Sequence, residues 1–251
     1  LSYVDFAEPN YLVYTLAAGD SATYTSEPLY SQQWGLQAIN MHKLWNKPSV
    51  RAKKTVIAIL DTGVDIDHPD LAANIWTNTA ESNGVADQDD DNNSFIDDMH
   101  GWDFINQTGV MHDFNGHGTH CAGIAAAVGN NGIGITGANP DALIMPITVM
   151  QSNGTGDVAT IIRGIDYAAA NGADVLSMSF GGYSYSIAEE QALGRAYANA
   201  VLVAAAGNDG CCFEECMSCP SLPMFPAGFT FVLGVQASVN NGGALADWSN
   251  Y

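Results

Sequence analysis

Thr55-Val56-Ile57-Ala58-Ile59-Leu60-Asp61-Thr62-Gly63 runs six uncharged, mostly branched residues straight into an acid and a turn-forming pair. So apolar a run has no wet face. It predicts a strand covered on both sides that delivers Asp61 at its carboxyl end. Comparable runs span residues 142–149, 173–180, 200–206 and 229–235. Between them, Asp157 can cap a helix with Val158, Ile161, Ile162 and Ile165 on one face, stopped by Asn171-Gly172. Residues 186–199 read as a second helix. This alternation predicts an α/β fold, a doubly wound, mostly parallel sheet with helices on both faces and right-handed crossovers. Ligands of such sheets sit beyond the carboxyl ends of the strands, where Asp61 and Asn208 both fall.

The chain has 251 residues, 47% of them hydrophobic, enough for one substantial core. We expect an arm and linker over residues 1–28, followed by one domain over residues 29–251. No apolar run approaches the roughly 20 residues of a membrane-spanning helix, and the N-terminus lacks a signal-peptide pattern. The expectation is a soluble, already processed chain. Seven basic residues against 27 acidic ones give a net charge of -20, which excludes nucleic acid and anionic membranes as partners. Such charge opposes compaction unless cations offset it. In the acidic run from Asp87 to Asp98, the side chains of Asp89, Asp91, Asn93 and Asp97 and the Phe95 carbonyl are spaced like the oxygen ligands of a calcium loop. Ser94 stands where that loop usually has glycine and no Glu follows at its twelfth position; a solvated acidic turn is the alternative.

Asp61 by itself could be a turn former. A second signal is Asn115-Gly116-His117-Gly118-Thr119-His120-Cys121-Ala122-Gly123, a histidine opening a helix of small residues that can approach a sheet closely. A third is Val201-Leu202-Val203-Ala204-Ala205-Ala206-Gly207-Asn208, a strand ending in a side-chain amide. In this order the three segments resemble the subtilase family, over roughly residues 30 to 251.

The resemblance implies a secreted serine endopeptidase acting on polypeptides through an Asp-His-Ser triad. His117 would be the general base and acid, Asp61 its orienting carboxylate, and Asn208 the oxyanion donor. Gly154, Thr155 and Gly156 on one side, with Ser179, Phe180 and Gly181 on the other, would bind an extended substrate as an added strand. A further Ca2+ site would use Asp70 and Asn131 with the backbone oxygens of Ile133 and Ile135, and Glu27 is a candidate from the arm. The family's Gly-Thr-Ser-Met-Ala segment does not occur in these residues, and neither Ser179 nor Ser221 has that context. The expectation is therefore a domain truncated before its serine. The alternative is a non-catalytic, calcium-dependent binding protein of the same fold, or an inactive fragment. Residues 4–11 resemble the closing strand of an inhibitory propeptide, with a strand packed on the mature domain as the other reading. The propeptide or the missing C-terminal segment would then be a partner.

Four of the five cysteines, Cys211, Cys212, Cys216 and Cys219, crowd into one segment without a histidine, which favours two disulfides over a zinc site. Cys121 reads as a small hydrophobe rather than a nucleophile. His42, His68, His100, His112 and His120 form no metal-binding spacing, and His120 is expected to be buried.

Overall fold

A computed structural model describes residues 24–45, 54–210, 223–240 and 243–250. The cysteine cluster and the propeptide-like strand lie outside the described residues. Six strands, β1 (Val56–Asp61), β2 (Trp102–Asp103), β3 (Leu143–Thr148), β4 (Val175–Met178), β5 (Val201–Ala205) and β6 (Leu233–Val235), form one sheet. Its order is β2-β3-β1-β4-β5-β6 and every pairing is parallel. The helices are α1 (Trp34–Ala38), α2 (His42–Trp45), α3 (Thr79–Ser82), α4 (His117–Ala126), α5 (Val158–Ala170) and α6 (Ile187–Tyr197). No described helix is long and apolar enough to cross a membrane.

The period of two along β1 and β3 explains why the sheet is covered on both faces. Ala58, Leu60, Met145 and Ile147 point into a core closed by Ile161, Ile165 and Ala168 of α5 and by Leu193 and Ala196 of α6. Ile59 and Ile144 point the other way, onto Ala122 and Ala126 of α4. A third cluster ties the front of the chain down: Tyr24 meets Trp45 edge to face at 5.5 Å, and its hydroxyl donates to Asp141.

Helix ends follow their sequence signals. Asp157 accepts the Thr160 amide and Ser186 the Glu189 amide, while Gly172, just past α5, adopts φ +77°. Two expectations are corrected. β6 is exposed along its whole length, because it pairs with β5 alone among the described strands; the apolar content of that segment is buried instead through Phe229 and Val232 in the preceding turn. His120 is exposed rather than buried: α4 buries Gly118, Ala122 and Ala126, and a residue midway between 118 and 122 faces away from that stripe.

The sequence of connections passes from β1 to β2 and β3 on one side, then to β4, β5 and β6 on the other. The loops at the carboxyl end of β1 therefore diverge, and a crevice opens there. α4 reaches that crevice only because of its glycine. A Cβ on Gly118 would stand 2.1 Å from the Gly63 carbonyl oxygen and 2.9 Å from Asp61 Cβ. Backbone on the opposing side cannot yield as a side-chain tip can. Gly118→Ala is therefore expected to destabilise the fold by about 1–3 kcal/mol through overpacking, read as a lower urea midpoint; an unchanged midpoint would show that the contact relaxes freely.

Candidate active site

Asp61 ends β1 in a buried position, 2% exposed, where its Oδ1 accepts the Thr62 amide at 2.7 Å. The same oxygen lies 2.7 Å from Nδ1 of His117, the first residue of α4. A carboxylate only accepts, so this contact puts the ring proton on Nδ1 and leaves Nε2 with its lone pair. The imidazole side chain is 49% exposed, against 3% for the carboxylate. One group is fixed and dry; the other is open to a reactant.

What holds the pair is Asp113, which the sequence reading passed over. Its Oδ1 accepts from Thr62 Oγ1 and from the amides of Asn115 and Gly116, and its Oδ2 accepts from the amide and hydroxyl of Thr119. Thr62 Oγ1 in turn accepts the Gly118 amide at 3.1 Å. One carboxylate thereby ties the exit of β1 to the first turn of α4, whose amides are unsatisfied within the helix. Burial acts against the Asp113 carboxylate, but the hydrogen bonds from Thr119, Gly116 and Asn115 outweigh it and hold the carboxyl below its ordinary range.

The cleft around the pair has a volume of about 290 Å³, and its walls include Gly154, Ser179, Phe180 and Gly181. Gly154, Thr155 and Gly156 also line the adjoining cavity of about 350 Å³, again with Phe180 and Gly181. The structure thus brings the six backbone-edge residues to one place. Asn115 Nδ2 donates to the Ser152 carbonyl, joining the loop before His117 to the turn that carries Gly154. Asn208 is exposed beyond β5 and is not a wall of the cleft. Its turn is held by Asn250, which accepts the Asp209 amide through Oδ1 and donates its own amide to the Gly207 carbonyl.

Cys121 Sγ lies 4.0 Å from His117 Nδ1. Burial, joined by the charges of Asp61 and Asp113, pushes its thiol up despite a hydrogen bond with Ser179. A protonated thiol is a poor nucleophile.

Two oxygen-rich sites lie away from the cleft. In the first, Asp70 Oδ1 accepts from Asn131 Nδ2 and its Oδ2 from the Ile135 amide, while Asn131 Oδ1 accepts the Ile133 amide. Glu27, 4% exposed, accepts the Asn131 amide through Oε1, and its buried Oε2 has no partner among the described residues. An orphaned carboxylate oxygen there fits a hard cation. In the second, one oxygen each from Glu81, Asp89 and Asp91 lie within 4.8 Å of one another. Glu81 carried no signal in the spacing of the loop. Asp97 is outside this group and accepts the Asp87 amide; Asn93 Oδ1 accepts the Phe95 amide. The Phe95 ring anchors the loop against Trp102 and Tyr167, each with ring centroids 5.0 Å away. Fully buried Asp98 accepts from Tyr167, Asn78 and Asn93, and burial pushes its carboxyl up.

The subtilase family model matches residues 52–251. The chain belongs to the subtilase family. It is 36% identical over 221 residues to thermitase of Thermoactinomyces vulgaris, covering 87% of this chain and 67% of that protein. It is 34% identical over 251 residues to the thermophilic serine proteinase of Bacillus sp. (strain AK1), covering 99% of this chain and 52% of the relative. To the minor extracellular protease Epr of Bacillus subtilis (strain 168) it is 33% identical over 220 residues, 87% of this chain and 28% of the relative. The chain thus spans about two thirds of the first of these subtilases, about half of the second and little more than a quarter of the third.

The lowered carboxyl of Asp113 sets a pH dependence. A group whose pKa is depressed by folding adds stability above its unfolded value, near 3.9, and loses that contribution as pH falls through the folded value. Asp113→Asn is expected to lower the urea midpoint at neutral pH, with the deficit closing as pH falls below the unfolded value and through the depressed folded one. A deficit equally large in acid would assign the effect to packing rather than charge.

Proposed function

We propose that the full protein is a secreted, calcium-stabilised serine endopeptidase that hydrolyses extended polypeptides. The observation carrying this reading is the 2.7 Å contact between His117 Nδ1 and buried Asp61 at the crevice beside β1. In this mechanism Nε2 of His117 takes the proton of a serine hydroxyl supplied outside these residues, and returns it to the leaving amine. Asp61 keeps the tautomer and meets the positive charge that develops on the ring. Asn208 donates to the tetrahedral oxyanion, and water resolves the acyl-enzyme. Gly154, Thr155 and Gly156, with Ser179, Phe180 and Gly181, pair with the substrate backbone. Secretion is supported by the extracellular relative in Bacillus subtilis.

Calcium would be held by Asp70, Asn131, Glu27 and the carbonyls of Ile133 and Ile135, and in the acidic loop by Asp89, Asp91 and Glu81, with Asn93, the Phe95 carbonyl and Asp97 as further oxygens. Bound there, it supplies charge neutralisation and rigidity, not chemistry. Residues 1–28 would be the propeptide end and linker, so the propeptide is a candidate partner.

Two measurements test this. In the full protein, His117→Ala is expected to lower kcat on an extended peptide by about 10⁴-fold or more. Peptide binding without cleavage in the unmutated protein would instead favour a non-catalytic binding protein, the alternative prompted by the lack of a Gly-Thr-Ser-Met-Ala segment in these residues. For calcium, an ion held at about 100 times its Kd adds about 2.7 kcal/mol, so chelation should lower Tm by about 5–10 °C. Asp70→Asn should shrink that shift; a Tm indifferent to chelation would sink the calcium assignment.

A further inference from the structure

The 350 Å³ cavity beside the cleft is walled by Met150, Val158, Ile161, Phe180 and Phe225, a lining suited to an aliphatic or aromatic side chain. Glu189 of α6 breaks that pattern, because it lines the same cavity. Only 4% of the residue is exposed. Its surroundings also offer an ordinary use for the acid: Ser186-Ile187-Ala188-Glu189 has the spacing of a capping box, in which the acid would reach back to the Ser186 amide. One half of that box forms, with the Glu189 amide donating to Ser186 Oγ at 3.3 Å. The other half does not: the Glu189 carboxyl makes no hydrogen bond among the described residues. The cations carried by α5 and α6 are engaged elsewhere. Arg163 of α5 lies over the Phe104 ring and donates to Gln107, and Arg195 of α6 pairs with Asp166. Burial alone pushes the Glu189 carboxyl up.

A buried acid with no partner is costly, and the cost falls when a donor enters the space in front of it. The cavity shares Met150, Gly154, Phe180 and Gly181 with the cleft holding Asp61 and His117, so a peptide lying in that cleft can place one side chain in it. We propose that Glu189 makes this cavity a specificity subsite for a Lys or Arg side chain of the bound peptide. The methylene stem of such a residue lies along the apolar wall while its charged head meets the carboxylate, dividing the side chain as amphipathic cations prefer. The net charge of -20 adds long-range attraction for a basic peptide. This inference rests on the peptidase reading above.

The test is equilibrium binding of extended peptides to the full protein carrying His117→Ala, so that they are bound without being cleaved. Each peptide carries Arg, Lys, citrulline or norleucine at one varied position, and this parent is compared with the same protein carrying Glu189→Gln or Glu189→Leu. At one position Arg and Lys should bind about ten- to hundredfold more tightly than norleucine, the range expected of a hydrogen bond to a charged group. Glu189→Gln should bring the peptides close to parity, and Glu189→Leu should turn the preference towards norleucine. Thermal unfolding of both variants separates lost preference from lost fold, and Glu189→Gln serves if the leucine variant unfolds. Peptides that bind with no basic preference at any position, or a preference that survives both substitutions, would overturn this inference alone. Failure of every extended peptide to bind would overturn both it and the peptidase reading.

Discussion

The approach of α4 to the carboxyl end of β1 is the constraint from which the rest of the site follows. Backbone meets backbone there, Gly118 against Gly63, with no room for a methyl group between them. That closeness brings His117 within 2.7 Å of Asp61. It also leaves helix amides and a strand hydroxyl facing one another, and Asp113 satisfies them together. A buried acid elsewhere in a core would be a liability. Half-buried between a helix N-terminus and a strand exit, Asp113 is a clamp, because its two oxygens accept from the amides of Asn115, Gly116 and Thr119 and the hydroxyls of Thr62 and Thr119.

The surplus of acid has a similar logic. Carboxylates that share a small volume repel one another unless donors or cations intervene. Around Asp113 the donors are amides and hydroxyls, and they suffice. Around Glu81, Asp89 and Asp91 the amides satisfy only part of the charge, and the Glu27 Oε2 atom has none of its own among the described residues. Those are the places where a hard cation would lower the energy most.

The sheet was legible because both of its faces are covered, so each strand reads as an unbroken apolar run. β6 broke the rule, since an edge strand does not need the burial that its composition suggests. Asp61 and His117 were legible because each ends or begins an element, where sequence marks position well. Asp113, Glu81, Asn250 and Glu189 were not. Their roles depend on partners in other elements or on a cavity, as with Asn250 and Asp209, 41 residues apart. No local spacing encodes such a meeting. His120 was misread for a different reason: a helix of small residues has little hydrophobic contrast, so the buried stripe is set by which glycines and alanines touch the sheet.

The electrostatics of the cleft also decide between possible nucleophiles. Cys121 is near enough to His117 to look like half of a thiol-imidazole pair. Yet the carboxylates that suit a ring becoming positive oppose a sulfur becoming negative, and Asp61 and Asp113 both act on the thiol in that sense. Burial acts in the same direction, so the cysteine stays protonated while Nδ1 remains committed to Asp61. A hydroxyl has no such conflict, because it stays neutral until the moment its proton passes to Nε2. In the peptidase reading proposed above, Asp61 on the ring and Asp113 behind it would thus disfavour sulfur and leave the role to an oxygen nucleophile.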